Sequence, residues 1–170
     1  MRSVTRISVA LVACICLFFA SNTASAQLQH VRIGLGFQTL LTTDDGLGFG
    51  FRGRLSAPVN SDLSFAFDLG ASGFILDGRD NATYIFDPQV SAIISFPGST
   101  DRAAYILAGV GGYIPFKQND RRNGGPTLHL GVGWVRPLRE TTLFYEINPA
   151  LIIKRDAISV AFPFRIGIIL

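Results

Sequence analysis

Lysine is almost missing from this sequence; Lys117 and Lys154 are the only two. Lysine and glutamate normally keep a sheet surface solvated, so the sequence is poorly equipped for an ordinary water-facing sheet. Cysteine is equally scarce. Cys14 and Cys16 both lie near the N-terminus, so the rest of the chain offers no disulfide framework and no thiolate metal site. Histidine is limited to His30 and His129, and no loop clusters Cys or His or carries a phosphate-binding glycine pattern. These absences argue against a metal centre and against a bound cofactor. After Ala26 no run is apolar for the roughly 20 residues that a membrane helix needs. No helical period is evident there either.

What is present begins with a leader. Arg2 and Arg6 give a basic start, Ile7 to Ala20 is apolar, and Ala24-Ser25-Ala26 fits a small-residue cleavage site. Residues 1–26 read as a secretory signal peptide and 27–170 as the exported domain. A permanent anchor is the rival reading, but the apolar run is short for a span. Leu11-Val12-Ala13-Cys14 resembles a lipoprotein site, yet the apolar run continues through "ICLFFA" beyond it. Removing the leader takes away both cysteines and two arginines, and the net charge falls from +3 to +1. The basic pI is therefore partly a property of the leader and gives no argument for nucleic acid.

The exported part breaks into eight alternating runs. Val31, Ile33, Leu35 and Phe37 oppose Arg32, Gly34, Gly36 and Gln38. Leu47, Phe49, Phe51 and Leu55 oppose Gly48, Gly50, Arg52 and Arg54. The same two-residue period continues around Phe65, Val90, Leu130, Tyr145 and Phe164; only "YILAGVGGYIPF" is ambiguous in phase. Eight strands in a row predict an all-β barrel or sandwich. The connections are of two kinds that interleave along the chain. "LTTDDG", "LDGRDN", "KQNDRRNGG" and "KRD" are polar and charged, whereas "APVNSD", "FPGSTD" and "RPLRET" carry Pro58, Pro97 and Pro137 near their starts. An antiparallel up-and-down meander predicts this regularity, with one set at each end of a barrel.

The second face of each strand decides which way the barrel is turned. It holds Gly, Ser and Ala with isolated charges, which suits a narrow interior. The large Phe, Leu, Ile and Val residues then face outward, where lipid is their proper solvent. A closed ring also leaves no unpaired backbone edge, as a bilayer requires. The competing reading is a soluble lipocalin-like periplasmic carrier with the apolar face inward. On the transmembrane reading, Tyr84, Tyr105, Tyr113, Trp134 and Tyr145 form two interfacial aromatic girdles. The inward face collects Arg32, Arg52, Arg54, Asp68, Asp87, Glu146 and Arg165, which predicts an internal ion-pair network, because unpaired burial is costly. Pro88, Pro149 and Pro163 lie inside predicted strands and each removes a ladder donor, so bulges or local breaks are expected.

A leader ending "ASA", eight alternating strands, "YILAGVGGY", "LHLGVGW" and an apolar alternating C-terminus resemble the small bacterial outer-membrane β-barrels of the OmpA/OmpX type. The resemblance covers 27–170 and implies an eight-stranded transmembrane barrel. It also implies contact with outer-membrane lipid. Arg121 and Arg122 mark the longest outer loop, where the default reading is a solvated loop tip and the alternative is contact with anionic lipopolysaccharide. Barrels of this kind close by pairing the last strand with the first, here 158–170 with 31–41. Their assembly machinery reads an alternating apolar C-terminal strand; Phe162, Phe164, Ile166, Ile168 and Leu170 fit that signal, with Leu where Phe is usual. Some such barrels are lipid A deacylases using His, Ser and Glu. Here Gly131 stands where the serine after His129 would be expected, and Ser159 and Glu146 lie on other strands. The expectation is a non-enzymatic barrel in envelope structure or surface interaction. The alternative is a transport or hydrophobic-ligand-binding barrel.

Overall fold

A computed structural model of the chain describes residues 31–74, 83–96, 98, 102–116 and 124–170. The leader, the glycine-flanked loop holding Arg121 and Arg122, and Pro97 lie outside these. The described residues form strands β1 (Arg32–Thr42), β2 (Gly46–Pro58), β3 (Leu63–Phe74), β4 (Thr83–Phe96) and β5 (Ala103–Pro115). They continue as β6 (Gly125–Pro137), β7 (Thr142–Ile147), β8 (Ala150–Ile153) and β9 (Ile158–Ile169). Each strand pairs antiparallel with its neighbours in order, and β9 returns to pair with β1.

β7 and β8 are two halves of one stave. Ile147 opposes Phe164 and Ala150 opposes Ala161, so the register is unchanged across the gap. The ring is therefore an eight-stranded closed barrel. Its stagger can be followed residue by residue. Arg32 faces Ser56, which faces Ala66, then Ser91, Gly109, His129, Ala150 and Ala161, and Ala161 faces Thr42. One circuit thus returns to β1 about ten residues further along. With ordinary strand spacings, this shear gives a tilt of roughly 40–45° and a backbone radius of about 8 Å. Side chains alone can fill such a bore.

The strands follow from the sequence period. Phe49 (41% exposed), Phe65 (51%) and Leu130 (64%) point outward, whereas Arg52, Asp68 and His129 are buried inside. This excludes the soluble reading, which needs those apolar faces turned in. Turn chemistry fixes the ends. Asn60 Oδ1 accepts from the Asp62 and Leu63 amides at 2.9 and 2.7 Å, an Asx turn that closes β2 onto β3. Between β1 and β2 the Asp45 amide donates to Thr42 Oγ1 at 2.9 Å, and Gly46 follows at φ 74°, in the left-handed region that glycine tolerates best.

The strand prolines break ladders without shifting them. Pro88 opposes Leu69 in an uninterrupted β3–β4 register, but no β4–β5 pairing is made at Asp87 and Pro88. Pro149 and Pro163 sit at the β7/β8 interruption, bridged where the Asn148 amide donates to the Pro163 carbonyl at 3.2 Å. The expected breaks are present. The bulges are absent, because losing one donor removes a bond without inserting a residue.

The interior is layered along the axis. Near the proline turns Ala66, Ile93, Tyr105 and Leu107 pack together, with Val135 against them. Near the charged loops Leu40, Phe74, Ile85, Tyr113, Ala150, Ile152 and Ala161 form a second apolar layer. The charged side chains lie between the two.

Candidate functional site: the charged waist of the lumen

Five of the eight staves carry the charges of the waist. β2 supplies Arg52 and Arg54, two residues apart and so on the same inner face. β3 supplies Asp68, β4 Asp87, β7 Glu146 and β9 Arg165, all buried. Arg54 joins two acids. Its Nε donates to Asp68 Oδ1 at 2.8 Å and its Nη1 lies 2.8 Å from Glu146 Oε2. Arg165 Nη1 meets the other Glu146 oxygen at 2.5 Å. Arg52 pairs with Asp87 and stands 3.9 Å from Asp68. Three guanidinium and three carboxylate groups are thus linked in one chain of contacts. Opposite charge at these distances offsets part of the desolvation of each ion, and other hydrogen bonds add to it, while Arg52 Nη1, Asp68 Oδ2 and Arg165 Nε keep no hydrogen-bond partner.

Neutral side chains that the sequence did not single out extend it. Gln38 Oε1 accepts from Arg52 Nε at 3.0 Å, while Gln38 Nε2 donates to Ser72 Oγ at 2.7 Å. Gln89 Oε1 accepts from Arg165 Nη2 at 3.1 Å and from Asn148 Nδ2 at 3.4 Å. The signal for Gln38 and Gln89 was available, since both share the inward phase of the charged residues on their strands. Gly70 lets the Arg52–Asp87 pair lie against the β3 wall; a Cβ there would collide with both groups.

Three expected placements need correction. Tyr105 and Tyr113 are not girdle residues. Both are buried inside, where the Tyr105 hydroxyl donates to Glu146 Oε2 at 2.9 Å and the Tyr113 hydroxyl donates to Asp45 Oδ2 at 2.8 Å. Their strand carries small residues on both faces, which hid its phase. Arg32 is exposed and outside the network. It shares the inward phase but sits at the rim, in the wall of a cavity of about 520 Å³ floored by Arg54 and Tyr105. Tyr84, Trp134 and Tyr145 do face outward. Phe162, Phe164, Ile166, Ile168 and Leu170 are likewise all outward and exposed.

The lumen also brings together a pair that the sequence left apart. Ser91 Oγ lies 2.9 Å from His129 Nε2. This is the contact a nucleophile and its base require. Yet both are buried, and His129 Nδ1 has no hydrogen-bond partner, so no carboxylate orients the ring. Ser159 and Glu146 are not the residues that meet it. Among the described residues no group of His, Cys, Asp or Glu is arranged to hold a metal.

No family model and no curated protein sequence matches the chain. Solved structures do match in fold. Neisserial surface protein A aligns with a TM-score of 0.64 at 15% identity, covering 82% of this chain and 96% of that one. The outer membrane enzyme PagL aligns at 0.56 and 12% identity, covering 79% and 97%. Ail, the attachment invasion locus protein of Yersinia pestis, aligns at 0.53 and 14%, covering 82% and 97%. The fold is that of the small eight-stranded outer-membrane barrels. Fold and apolar exterior together are those of a bacterial outer-membrane protein in contact with membrane lipid.

Proposed function

We propose that the chain is a non-enzymatic integral outer-membrane barrel whose lumen is plugged by its own ion pairs, serving envelope structure or surface interaction. The observation that carries this reading is the single linked network of Arg52, Arg54, Arg165, Asp68, Asp87 and Glu146 across a bore of eight strands. Positive and negative groups are equal in number, and an apolar layer lies on each side of them. A hydrated ion would have to separate these pairs to pass, at a cost of several kcal/mol per ion. The Ser91–His129 pair supports the non-enzymatic reading, since it is enclosed and lacks an orienting acid. Lipopolysaccharide at the outer loops is a partner on this reading, as is the barrel assembly machinery at Phe162 to Leu170.

Planar-bilayer recording tests the plug. The purified barrel should give no stable conductance steps. Stable openings that disappear when the lumen arginines are substituted would refute the plug and favour transport. Deleting the last three residues should spare export and impair membrane assembly; normal assembly would refute the proposed role of the C-terminal strand.

A further inference from the structure

One rim cation is held by a carboxylate, whereas two others stand near each other without one among the described residues. At the charged-loop rim Lys154 Nζ is 2.5 Å from Asp44 Oδ2. At the proline-turn rim Arg102 and Arg136 are exposed, and among the described residues neither side chain makes an ion pair or a hydrogen bond. They are also neighbours. Ala103 of β5 opposes Val135 of β6, and Arg102 and Arg136 are the next residues toward the rim, Arg102 just outside the ladder. Trp134, the only tryptophan in the chain, opposes Ala104 immediately above them and is 45% exposed on the outer wall. Arg136, two residues on from Trp134, shares its outward phase.

Two guanidinium groups at adjoining strand ends, unpaired among the described residues, on the outer wall and beside an interfacial tryptophan, form a site that an anion would stabilise. The location selects the anion. Short turns mark the periplasmic end of such barrels, so this rim meets the headgroups of the inner leaflet. Trp134 places the pair at the level where indole rings seek the interface. Guanidinium groups recognise phosphate through paired N–H donors. We propose that Arg102 and Arg136 form a headgroup site for the phosphodiester of an anionic phospholipid. The inference needs only the membrane-spanning barrel and is independent of the plug.

Trp134 supplies the readout. The barrel is reconstituted in phosphatidylcholine vesicles containing a minor fraction of phosphatidylglycerol with brominated acyl chains. Its tryptophan quenching is compared with that produced by the same fraction of brominated phosphatidylcholine. The expected result is a preference of about 5-fold or more for the anionic lipid next to Trp134, since each arginine near an anionic surface contributes roughly that factor. The preference should fall to about 1 in R102Q/R136Q and persist in R102K/R136K and in R155Q, which lies at the other rim. Equal quenching by the two lipids in the unsubstituted protein would overturn the proposal, whether or not the variants fold. So would a preference unchanged in R102Q/R136Q. Loss of the preference on adding inorganic phosphate at constant ionic strength would assign the site to free phosphate and overturn the lipid assignment.

Discussion

The waist of the lumen and the apolar layers beside it are built by the same strands, often by residues two positions apart. Arg54 and Asp68 are held by direction and distance, with partners at 2.8 Å. Ala66, two residues before Asp68, is held by contact with Ile93 and Leu107. The difference teaches how each region fails. An apolar layer loses the contacts of the atoms removed. A charged layer also loses the compensation of every ion left behind.

Glu146→Ala should show this most strongly. It leaves Arg165 without a carboxylate and Arg54 with Asp68 alone, so a loss of about 3–5 kcal/mol is expected in urea unfolding from detergent or lipid. A loss below about 1 kcal/mol would mean that water already reaches the waist. Leu107→Ala, in the neighbouring apolar layer, should cost about 2–5 kcal/mol by the same assay, and less if the layer collapses around the gap. Tyr105→Phe crosses the boundary between the two regions. It removes one hydrogen bond to a carboxylate that keeps two arginines, so about 1.5 kcal/mol is expected. Leu130→Ala, on the lipid face of β6, should change stability by less than about 1 kcal/mol, because its side chain has lipid around it and no packed partner to lose.

The smallest effect is a pH dependence outside the bilayer. The hydrogen bond from Lys154 holds the Asp44 carboxyl below its ordinary value. Its contribution is therefore complete at neutral pH and is lost as pH falls through and below the usual carboxylate range. Exchange protection at the Thr43 amide, which bonds the Val160 carbonyl, should fall in that window in the parent protein and stay flat in Lys154→Gln.

The architecture was legible because period two is a strong signal when one face is large and the other small. That contrast at Phe49 and Gly48, or Leu130 and Gly131, gave strand, face and orientation together. Where it fails, so does the reading. Tyr105 and Tyr113 sit among Ala and Gly on both faces, so their direction could not be read. The charged members of the waist could be listed from phase alone, but their pairing could not. Pairing depends on the stagger of the ring, which decides that Arg54 meets a carboxylate 92 residues away. Arg32 has the right phase and the wrong height, and phase carries no height.

The stagger has a consequence in time. β1 to β7 together carry Arg52 and Arg54 against Asp68, Asp87 and Glu146, one carboxylate in excess. The missing cation is Arg165, and it arrives on the strand that pairs Gly34 with Ile169. A contact between the first and the ninth strand is among the slowest to form. Until it forms, the partly wound sheet holds an edge without a partner and an acid without a counter-charge. The same docking event cures both, so β9 completes the hydrogen-bonded circle and the charge balance in one step.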